Sequence, residues 1–314
     1  MTVVVTGANG FVGSALVRAL HAAGVPLRAC TRVAQRSGPV ESVGMGELQD
    51  LGNWAPLLQG AQCVVHTAAV VHRPGAPAEA YFRVNTDATL HLANLAVAAG
   101  VKRFVFVSTV KVNGESSAPG RPLTEADVAA PTDPYGLSKL KAEEGLRQLV
   151  AGTGMDFVAV RPPLVYGPGV GGNFAQMMKW VARGVPLPLG SARGNRRTLV
   201  ALDNLVDLLV TCIRHPAAAN EVFFAGDAEG LSTAELVERL ALAMGKRARL
   251  VPMPPSLLMA AAKIVGRPGI AQRLLGNLQL DIGKAADRLG WRPPLGVDEG
   301  LRRAAAAHRS GTTV

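Results

Sequence analysis

Short apolar runs alternate with longer stretches of helical periodicity through the first half of the chain. The apolar runs predict strands at Thr2–Thr6, Pro26–Thr31, Gln62–Thr67, Arg103–Ser108 and Phe157–Arg161. Between them, apolar positions at helical spacing predict helices near Val12–Ala23, Ala78–Ala99 and Leu137–Ala151. Regular alternation of strand and helix implies β-α-β crossovers and a parallel sheet. We therefore predict an α/β fold, a Rossmann-type doubly wound parallel sheet.

The alternation of strands and helices becomes less regular after Arg161, where prolines and glycines become frequent. It then predicts helices near Phe174–Arg183, Asn204–Arg214 and Ser232–Met244, and a strand at Glu221–Ala225. Ser232 and Glu235 have the spacing of a capping box. We predict a dinucleotide-binding domain over residues 1–165, with a return segment near 198–226. Residues 166–197 and 227–314 are predicted to form a smaller, mostly helical C-terminal substrate domain.

The composition narrows the classes of partner. Aromatic residues make up only 4% of the chain, so small aliphatic residues must fill the core, as is typical of a parallel sheet covered on both faces. The net charge of +10 permits nucleic acid, a membrane surface or a phosphorylated small molecule. The arginines form separate small groups without interleaved aromatics, which favours small anionic ligands and no nucleic acid.

The cysteines and the N-terminal segment bear on disulfides, metal binding and cellular location. Cys30, Cys63 and Cys212 lie far apart and share no CxxC unit, so we expect neither a disulfide framework nor a metal site. The N-terminal residues lack the basic and apolar regions of a signal peptide. Since no apolar run reaches about 18 residues, we expect no transmembrane segment and a cytoplasmic location.

Glycines at three-residue spacing follow the first predicted strand. Gly7 would allow a tight turn, Gly10 would let the backbone approach a pyrophosphate, and Gly13 would let the next helix pack closely. The helix N-terminus would offer amide donors to the phosphates. Small residues after the third apolar run, at Gln62–Thr67, leave room for the same ligand, whereas His66 is more typical of a packed structural residue. The predicted contacts to a dinucleotide here are Gly7, Asn9, Gly10, Phe11, Val12, Gly13, Ala68 and Ala69.

The end of the second predicted strand bears on the choice of cofactor. NAD-binding enzymes place a carboxylate there for the ribose 2′-hydroxyl, but this chain has Arg32. A guanidinium matches a 2′-phosphate in geometry and charge, so NADP(H) is favoured, with NAD(H) as the alternative. The alternative is that Arg32 is an ordinary solvated residue at the surface. Asp50 and Leu51 are predicted to contact the adenine, with a helix cap before residues 52–59 as the alternative.

A YxxxK motif at Tyr135 and Lys139 predicts the catalytic pair. Spacing of four residues places both side chains on one face of a helix. The ammonium is expected to lower the pKa of the phenol, so that tyrosine exchanges a proton with a carbonyl or alcohol near neutral pH. Lys139 would also hold the nicotinamide ribose. Ser108 or Thr109, at the end of a strand, would bond the same substrate oxygen.

These motifs together resemble the extended short-chain dehydrogenases/reductases, in the NAD-dependent epimerase/dehydratase group that acts on nucleotide sugars. The likeness runs through nearly the whole chain, in family order: Gly7–Gly13, His66–Ala69, Asn85, Ser108–Gly114 and Tyr135–Lys139. It implies that Tyr135, Lys139 and Thr109 are catalytic and that Asn85 supports the active site beside the substrate. It also implies that Ser108, Arg161 and Pro162 lie against the cofactor.

The second half resembles the nucleotide-sugar part of that family. By this resemblance Asn173 and Arg197 contact a diphosphate, with Arg273 as a second phosphate arginine and Lys111 also in the substrate site. Ordinary helix-end or surface charges are the alternative for the two arginines. The resemblance implies a UDP-sugar substrate and a homodimer formed through the helices near Ala78–Ala99 and Leu137–Ala151.

The likeness also implies a reaction. UDP-galactose 4-epimerases keep an acidic residue after the second strand and hold NAD permanently, and Arg32 departs from that pattern. The segments Asp227–Arg239, Pro252–Leu258 and Leu274–Lys284 are similar to bacterial enzymes that reduce UDP-4-keto-6-deoxy-N-acetylhexosamines at C4 in O-antigen assembly. We therefore expect such a reductase. The alternatives are a UDP-sugar 4-epimerase with tightly bound NAD, a reductase of non-nucleotide ketones, and a non-catalytic dinucleotide-binding sensor.

The apolar segment Pro252–Gly266 is open to three interpretations. It would pack within the small domain, cover the sugar site as a lid, or lie on a membrane surface. Packing is the simplest of the three.

Overall fold

A computed structural model describes residues 1–34, 40–48, 54–71, 77–264 and 268–310. The strands are β1 (Val3–Thr6), β2 (Leu27–Thr31), β3 (Ser42–Gly44), β4 (Cys63–His66), β5 (Arg103–Val107), β6 (Asp156–Arg161), β7 (Leu164–Tyr166), β8 (Leu199–Ala201) and β9 (Val222–Phe224). The helices are α1 (Phe11–Ala22), α2 (Ala55–Leu58), α3 (Ala78–Tyr81), α4 (Ala88–Ala98), α5 (Pro134–Val150), α6 (Gly172–Ala182), α7 (Leu202–Arg214), α8 (Thr233–Ala243), α9 (Pro255–Ile264), α10 (Pro268–Leu275), α11 (Gly283–Leu289) and α12 (Val297–Arg309).

Seven strands of the described chain form one sheet in the order β3-β2-β1-β4-β5-β6-β9, with every neighbouring pair parallel. The order reverses at β1, where Val3 is in register with Leu27 on one side and with Cys63 on the other. Such a reversal opens a crevice at the carboxyl edge of the sheet. The predicted Rossmann-type doubly wound sheet is therefore confirmed.

Both faces of the sheet are buried under helices. Along β1, Val3 and Val5 contact the apolar cluster under α1 and α7, and Val4 contacts the cluster under α4 and α5. Successive strand residues point to opposite faces, so a strand covered on both sides must be apolar throughout. This explains the unbroken valine run that marked the first strand in the sequence.

The predicted helix over Ala78–Ala99 is interrupted. A π-helical turn at Phe82–Asp87 separates α3 from α4. Because α4 packs against α5, the two helices expected to form the dimer contact lie side by side on one face of the sheet. The homodimer itself stays a prediction.

The short strands β3, β7 and β8 were not predicted, since three residues are too few to establish an alternating pattern. A second sheet of the described chain pairs β7 with β8. Over it lies a third apolar core, built mainly from α6, α8 and α12. The capping box predicted at Ser232 and Glu235 is present at the start of α8. The proposed domain boundaries stay a prediction, although β9 does return to the large sheet.

Within the residues described, no helix combines the length and the apolar character that a bilayer crossing needs.

His66, at the end of β4, is a packed structural residue. It is fully buried, and its ring nitrogens bond the hydroxyls of Thr6 at 2.7 Å and Thr89 at 3.0 Å. The ring of Phe106 stacks on it at 5.9 Å. Burial lowers the pKa of His66 to about 3, with a smaller effect from the charge of Lys139. The side chain is therefore neutral in the folded protein.

This burial makes stability depend on pH. The unfolded chain binds a proton at His66 below pH 6.5 while the fold resists it, so stability is lost as the pH falls from 6.5 toward 3. We expect the free energy of unfolding to fall by up to about 1.4 kcal/mol per pH unit from this residue. Urea unfolding across this range should show a shallower slope for His66→Gln. The exposed His21→Gln is the control, and identical slopes in both variants would refute the expectation.

Candidate active site

A cavity of about 270 Å³ opens at the carboxyl edge of the sheet, where the strand order reverses. Its walls come from the glycine turn after β1, from the ends of β2 and β4, and from Trp54. The indole Nε1 of Trp54 is buried and has no hydrogen-bond partner among the described residues.

The glycine turn is built as the sequence predicted. Gly7 has a φ of +67°, and a Cβ there would lie 2.7 Å from the backbone nitrogen of Ala68. A Cβ on Gly13 would lie 2.1 Å from the carbonyl oxygen of Gly7. Thr67, which the sequence analysis overlooked, donates its hydroxyl to the carbonyl of Thr6 at 2.6 Å and so braces the turn. The cradle at the start of α1 fits a dinucleotide pyrophosphate.

The remaining residues predicted at this turn lie around the same edge. Asn9 and Gly10 are exposed, while Phe11 and Val12 are half-buried at the first turn of α1. Ala68 and Ala69 line the cavity. Asp50 and Leu51, the predicted adenine contacts, lie outside the described residues.

Arg32 lines the cavity just beyond β2, and its guanidinium lies 3.4 Å from the carboxylate of Glu47. Both side chains are open to solvent, at 67% and 50% of their surface. Glu47 also lines the cavity and was missed in the sequence, because it follows β3 rather than β2. The structure thus brings a cation and a carboxylate together in the cavity wall beyond β2, where the sequence predicts a contact with the ribose.

The sequence before the YxxxK motif starts helix α5. Asp133 is its N-cap and accepts the amide of Gly136 at 2.7 Å, and Pro134 fills the first position, where no amide donor is needed. This start presents Tyr135 and Lys139 on successive turns of α5, beside the end of β5. The predicted pairing of the two residues on one helix is confirmed.

Tyr135 makes a hydrogen bond with the hydroxyl of Thr109. Its pKa is raised to about 12, first by burial and then by the negative charge of Asp133, while the bond to Thr109 acts in the opposite direction. The expectation that Lys139 lowers the pKa of the phenol is therefore wrong for the cofactor-free protein. Burial and the charge of Asp133 together outweigh the opposing effect of Thr109.

Lys139 is almost completely buried. Its ammonium donates to the carbonyl of Val107 at 2.8 Å and lies 4.3 Å above the ring of Phe106. Burial lowers the pKa of Lys139 to about 7, and the charge of Glu143 acts against that shift. The side chain is thus fixed at the end of β5 with a proton that is readily exchanged near neutral pH.

Behind this pair lies a buried ionic network that the sequence analysis did not find. Glu143, one turn beyond Lys139, accepts two hydrogen bonds from Arg161, at 3.0 and 2.5 Å. It also accepts the hydroxyl of Ser108, and Arg161 donates to the side chain of Asn113 at 2.8 Å. The side chains of Ser108 and Arg161, predicted to face the cofactor, are thus engaged in the interior. Pro162 is buried beside them and its carbonyl accepts the amide of Val110.

Asn85 lies on the π-helical turn, fully buried. Its amide group accepts from the nitrogen of Val70 at 2.8 Å and donates to the carbonyl of the same residue at 3.0 Å. It also donates to the hydroxyl of Ser138 on α5 at 3.1 Å. This fits the expected supporting role, because the side chain ties the cavity wall at Val70 to the catalytic helix.

Three cations predicted to bind substrate surround one carboxylate, Glu115. Its oxygens lie 2.5 Å from the ammonium of Lys111 and 3.8 Å from Arg273. Arg197 is close enough for the charge of Glu115 to raise its pKa, although burial lowers that pKa more strongly. Lys111 also pairs with Asp133, the cap of α5. Glu115 was not singled out in the sequence.

Asn173 is exposed at the first turn of α6. Cys30, Cys63 and Cys212 are buried with free thiols. Among the residues that the structure covers, no group of His, Cys, Asp or Glu is arranged to hold a metal ion.

Known proteins resemble this chain in sequence and in structure. The model of the NAD dependent epimerase/dehydratase family matches residues 3–226. A UDP-glucose 4-epimerase of Vibrio cholerae is 41% identical over 311 residues, covering 98% of this chain and 95% of that protein. The solved UDP-glucose 4-epimerase of Thermus thermophilus with NAD is 26% identical with a TM-score of 0.79, over 98% of this chain and 99% of that one. The solved structure of MoeE5 with UDP-glucuronic acid and NAD is 26% identical with a TM-score of 0.80, and the match covers 99% of this chain and 100% of that one.

Replacing Glu143 tests the buried network. In Glu143→Gln the guanidinium of Arg161 loses its charged partner in the interior, and we expect the free energy of unfolding to fall by about 3 kcal/mol. The neighbouring Glu144 pairs with Lys141 at the surface, so Glu144→Gln should cost less than about 0.5 kcal/mol. Urea unfolding measures both. Equal losses in the two variants would show that the network does not stabilise the fold.

Proposed function

Because the chain belongs to the NAD-dependent epimerase/dehydratase family and is an NAD-dependent nucleotide-sugar enzyme, we propose that it reduces a UDP-4-keto-6-deoxy-N-acetylhexosamine at C4. The observation that carries this proposal is the placement of Tyr135 and Lys139 on α5 against the end of β5 at the carboxyl edge of the sheet, where Lys139 donates to Val107 and Thr109 follows the strand. A hydroxyl pair at this edge suits a ketone oxygen that must receive a proton. The cavity around the glycine turn suits the dinucleotide.

A reduced nicotinamide bound in the cavity would supply the hydride that the carbonyl carbon at C4 needs. Thr109 donates a hydrogen bond to the carbonyl oxygen and Tyr135 transfers its hydroxyl proton to that oxygen, so the ketone becomes an alcohol. Tyr135 suits the role of acid in the cofactor-free state, since its raised pKa keeps it protonated at neutral pH. With a cofactor bound, Lys139 in its protonated form would offset part of the negative charge left on Tyr135.

The substrate class is supported by the cations around Glu115. Arg197 and Arg273 carry guanidinium groups, which bind phosphates with two parallel hydrogen bonds, and Lys111 adds a third positive charge. Arg197 is held in place because its guanidinium donates to the carbonyl of Gly276 at 3.2 Å. A diphosphate arriving there would compete with Glu115 for the same cations.

A UDP-sugar 4-epimerase is the second candidate. The 41% identical relative from Vibrio cholerae carries that name, and Glu47 beside Arg32 offers the carboxylate that a ribose 2′-hydroxyl of NAD requires. Both reactions would use Tyr135, Thr109 and Lys139. They differ in the fate of the cofactor, which leaves oxidised from a reductase and is regenerated in place in an epimerase.

The role of the acid is tested by Tyr135→Phe. This change removes only the transferable proton, so we expect turnover to fall by about 100-fold or more while the dissociation constant of the cofactor stays within a few-fold. Tyr81, whose ring lies 6.4 Å from that of Tyr135, provides the control variant Tyr81→Phe. Near-normal turnover in Tyr135→Phe would remove Tyr135 from the mechanism.

The nucleotide-sugar site is tested by Arg197→Ala. Loss of a charged hydrogen bond should raise the KM for the UDP-sugar by roughly ten-fold and leave cofactor binding unchanged. Arg196, which pairs with Glu235 at the surface, gives the control Arg196→Ala. Calorimetry with UDP checks binding to the wild type directly. An absence of heat with UDP and with UDP-sugars would exclude this class of substrate.

The cofactor distinguishes the two reactions. A 2′-phosphate would gain a charged hydrogen bond from Arg32, but solvent exposure weakens it, so we expect NADPH to bind about ten-fold more tightly than NADH. Arg32→Asp should reverse this preference, and Glu47→Gln should increase it because a repelling charge is removed. Fluorescence titration of both reduced cofactors gives the dissociation constants. Equal affinities, or NAD retained through purification, would favour the epimerase.

A further inference from the structure

Helix α9 turns apolar side chains toward solvent. Leu257, Ala260 and Ile264 are exposed, and their spacing of three and four residues places them on one side of the helix. Leu257 is 58% exposed and Ile264 is 87% exposed. Leu258, by contrast, packs against the third apolar core. A helix with apolar residues on its inner side and on part of its outer side is unusual for the surface of a domain.

Exposed apolar side chains continue from α9 onto the adjoining backbone. Val251 precedes α9 and donates its amide to the carbonyl of Leu187 at 2.8 Å. The strand-like segment at Leu187 begins at Val185, whose amide is bonded to the carbonyl of Trp180 at the end of α6. We call this region the α9 surface, and its exposed large apolar residues are Trp180, Val185, Val251, Leu257 and Ile264.

The cations of the α9 surface lack the carboxylate partners that other described cations of the same domain have. Among the described residues, Arg183, Arg247, Arg249 and Lys263 are exposed, and no carboxylate lies within 4.0 Å of them. Nearby Arg193, Arg196 and Arg239 are all paired with glutamates. No described carboxylate therefore pairs with the positive charge beside the apolar stripe.

We propose that the α9 surface binds an anionic phospholipid bilayer. Aliphatic side chains and a tryptophan suit the boundary between headgroups and acyl chains, and unpaired lysine and arginine suit anionic headgroups. Together these features match one occupant in both apolar contact and charge. The interpretation as simple packing within the small domain holds for Leu258 but not for Leu257 and Ile264. The enzyme is thus placed to act on substrates beside a membrane.

Co-sedimentation of the full-length protein with vesicles tests this proposal. We expect binding to vesicles of phosphatidylcholine with phosphatidylglycerol, much weaker binding to phosphatidylcholine alone, and loss of binding at high salt. Arg247→Glu and Lys263→Glu should each weaken binding by roughly five-fold or more, and Ile264→Glu by about ten-fold. These side chains are exposed, so the variants should keep the circular dichroism spectrum and the UDP affinity of the wild type.

Two matched controls lie outside the α9 surface. Val128→Glu changes a residue that is 87% exposed, and Arg18→Glu reverses an exposed charge on α1. Both should bind vesicles as the wild type does. The proposal is overturned if anionic vesicles do not sediment the protein, or if the controls weaken binding as much as the α9 variants. It is also overturned if Ile264→Glu instead abolishes self-association in centrifugation without lipid, which would identify a second copy of the chain as the occupant.

Discussion

The ion pair between Arg161 and Glu143 holds together the end of the sheet at which the chemistry is placed. It joins the carboxyl end of β6 to α5, and through Ser108 it includes the end of β5. Two buried charges are costly to remove from water, and they persist because the carboxylate receives three hydrogen bonds and the guanidinium reaches Asn113. The catalytic helix is therefore fixed to two strands by polar contacts, where apolar packing alone would permit it to slide.

That fixed position determines the electrostatic state of the active site. Lys139 is shielded from water, so burial lowers its pKa to about 7, and the charge of Glu143 one turn away only partly opposes that shift. The phenol of Tyr135 lies in an environment of low dielectric constant, near the negative charge of Asp133. Burial thus reverses the usual order of the two pKa values, because it raises that of Tyr135 to about 12 and lowers that of Lys139 to about 7. A positive charge near Tyr135, such as an oxidised nicotinamide would bring, would lower the pKa of the phenol.

Local features were predictable from the sequence, and features that join distant segments were not. The valine run of β1 and the turn at Gly7 depend on neighbouring residues, and each lies where it was expected. Helix α5 begins at Pro134, three residues before the predicted start at Leu137. Glu47, Glu115 and Glu143 acquire their roles from cations that approach only after folding, and composition does not tell which carboxylate meets which cation. The pKa of Tyr135 was predicted with the wrong sign, since a motif gives spacing but not burial.

The path of the chain through the large sheet has a consequence for biosynthesis. Strand β9 pairs with β6 after the intervening chain has built β7, α6, β8 and α7, and α7 covers the same face of the sheet as α1. Valines and leucines of that face therefore remain uncovered until the ribosome has delivered residues beyond 214. This face of the sheet is therefore completed only by residues from the second half of the chain, including Ala285, Leu289 and Trp291.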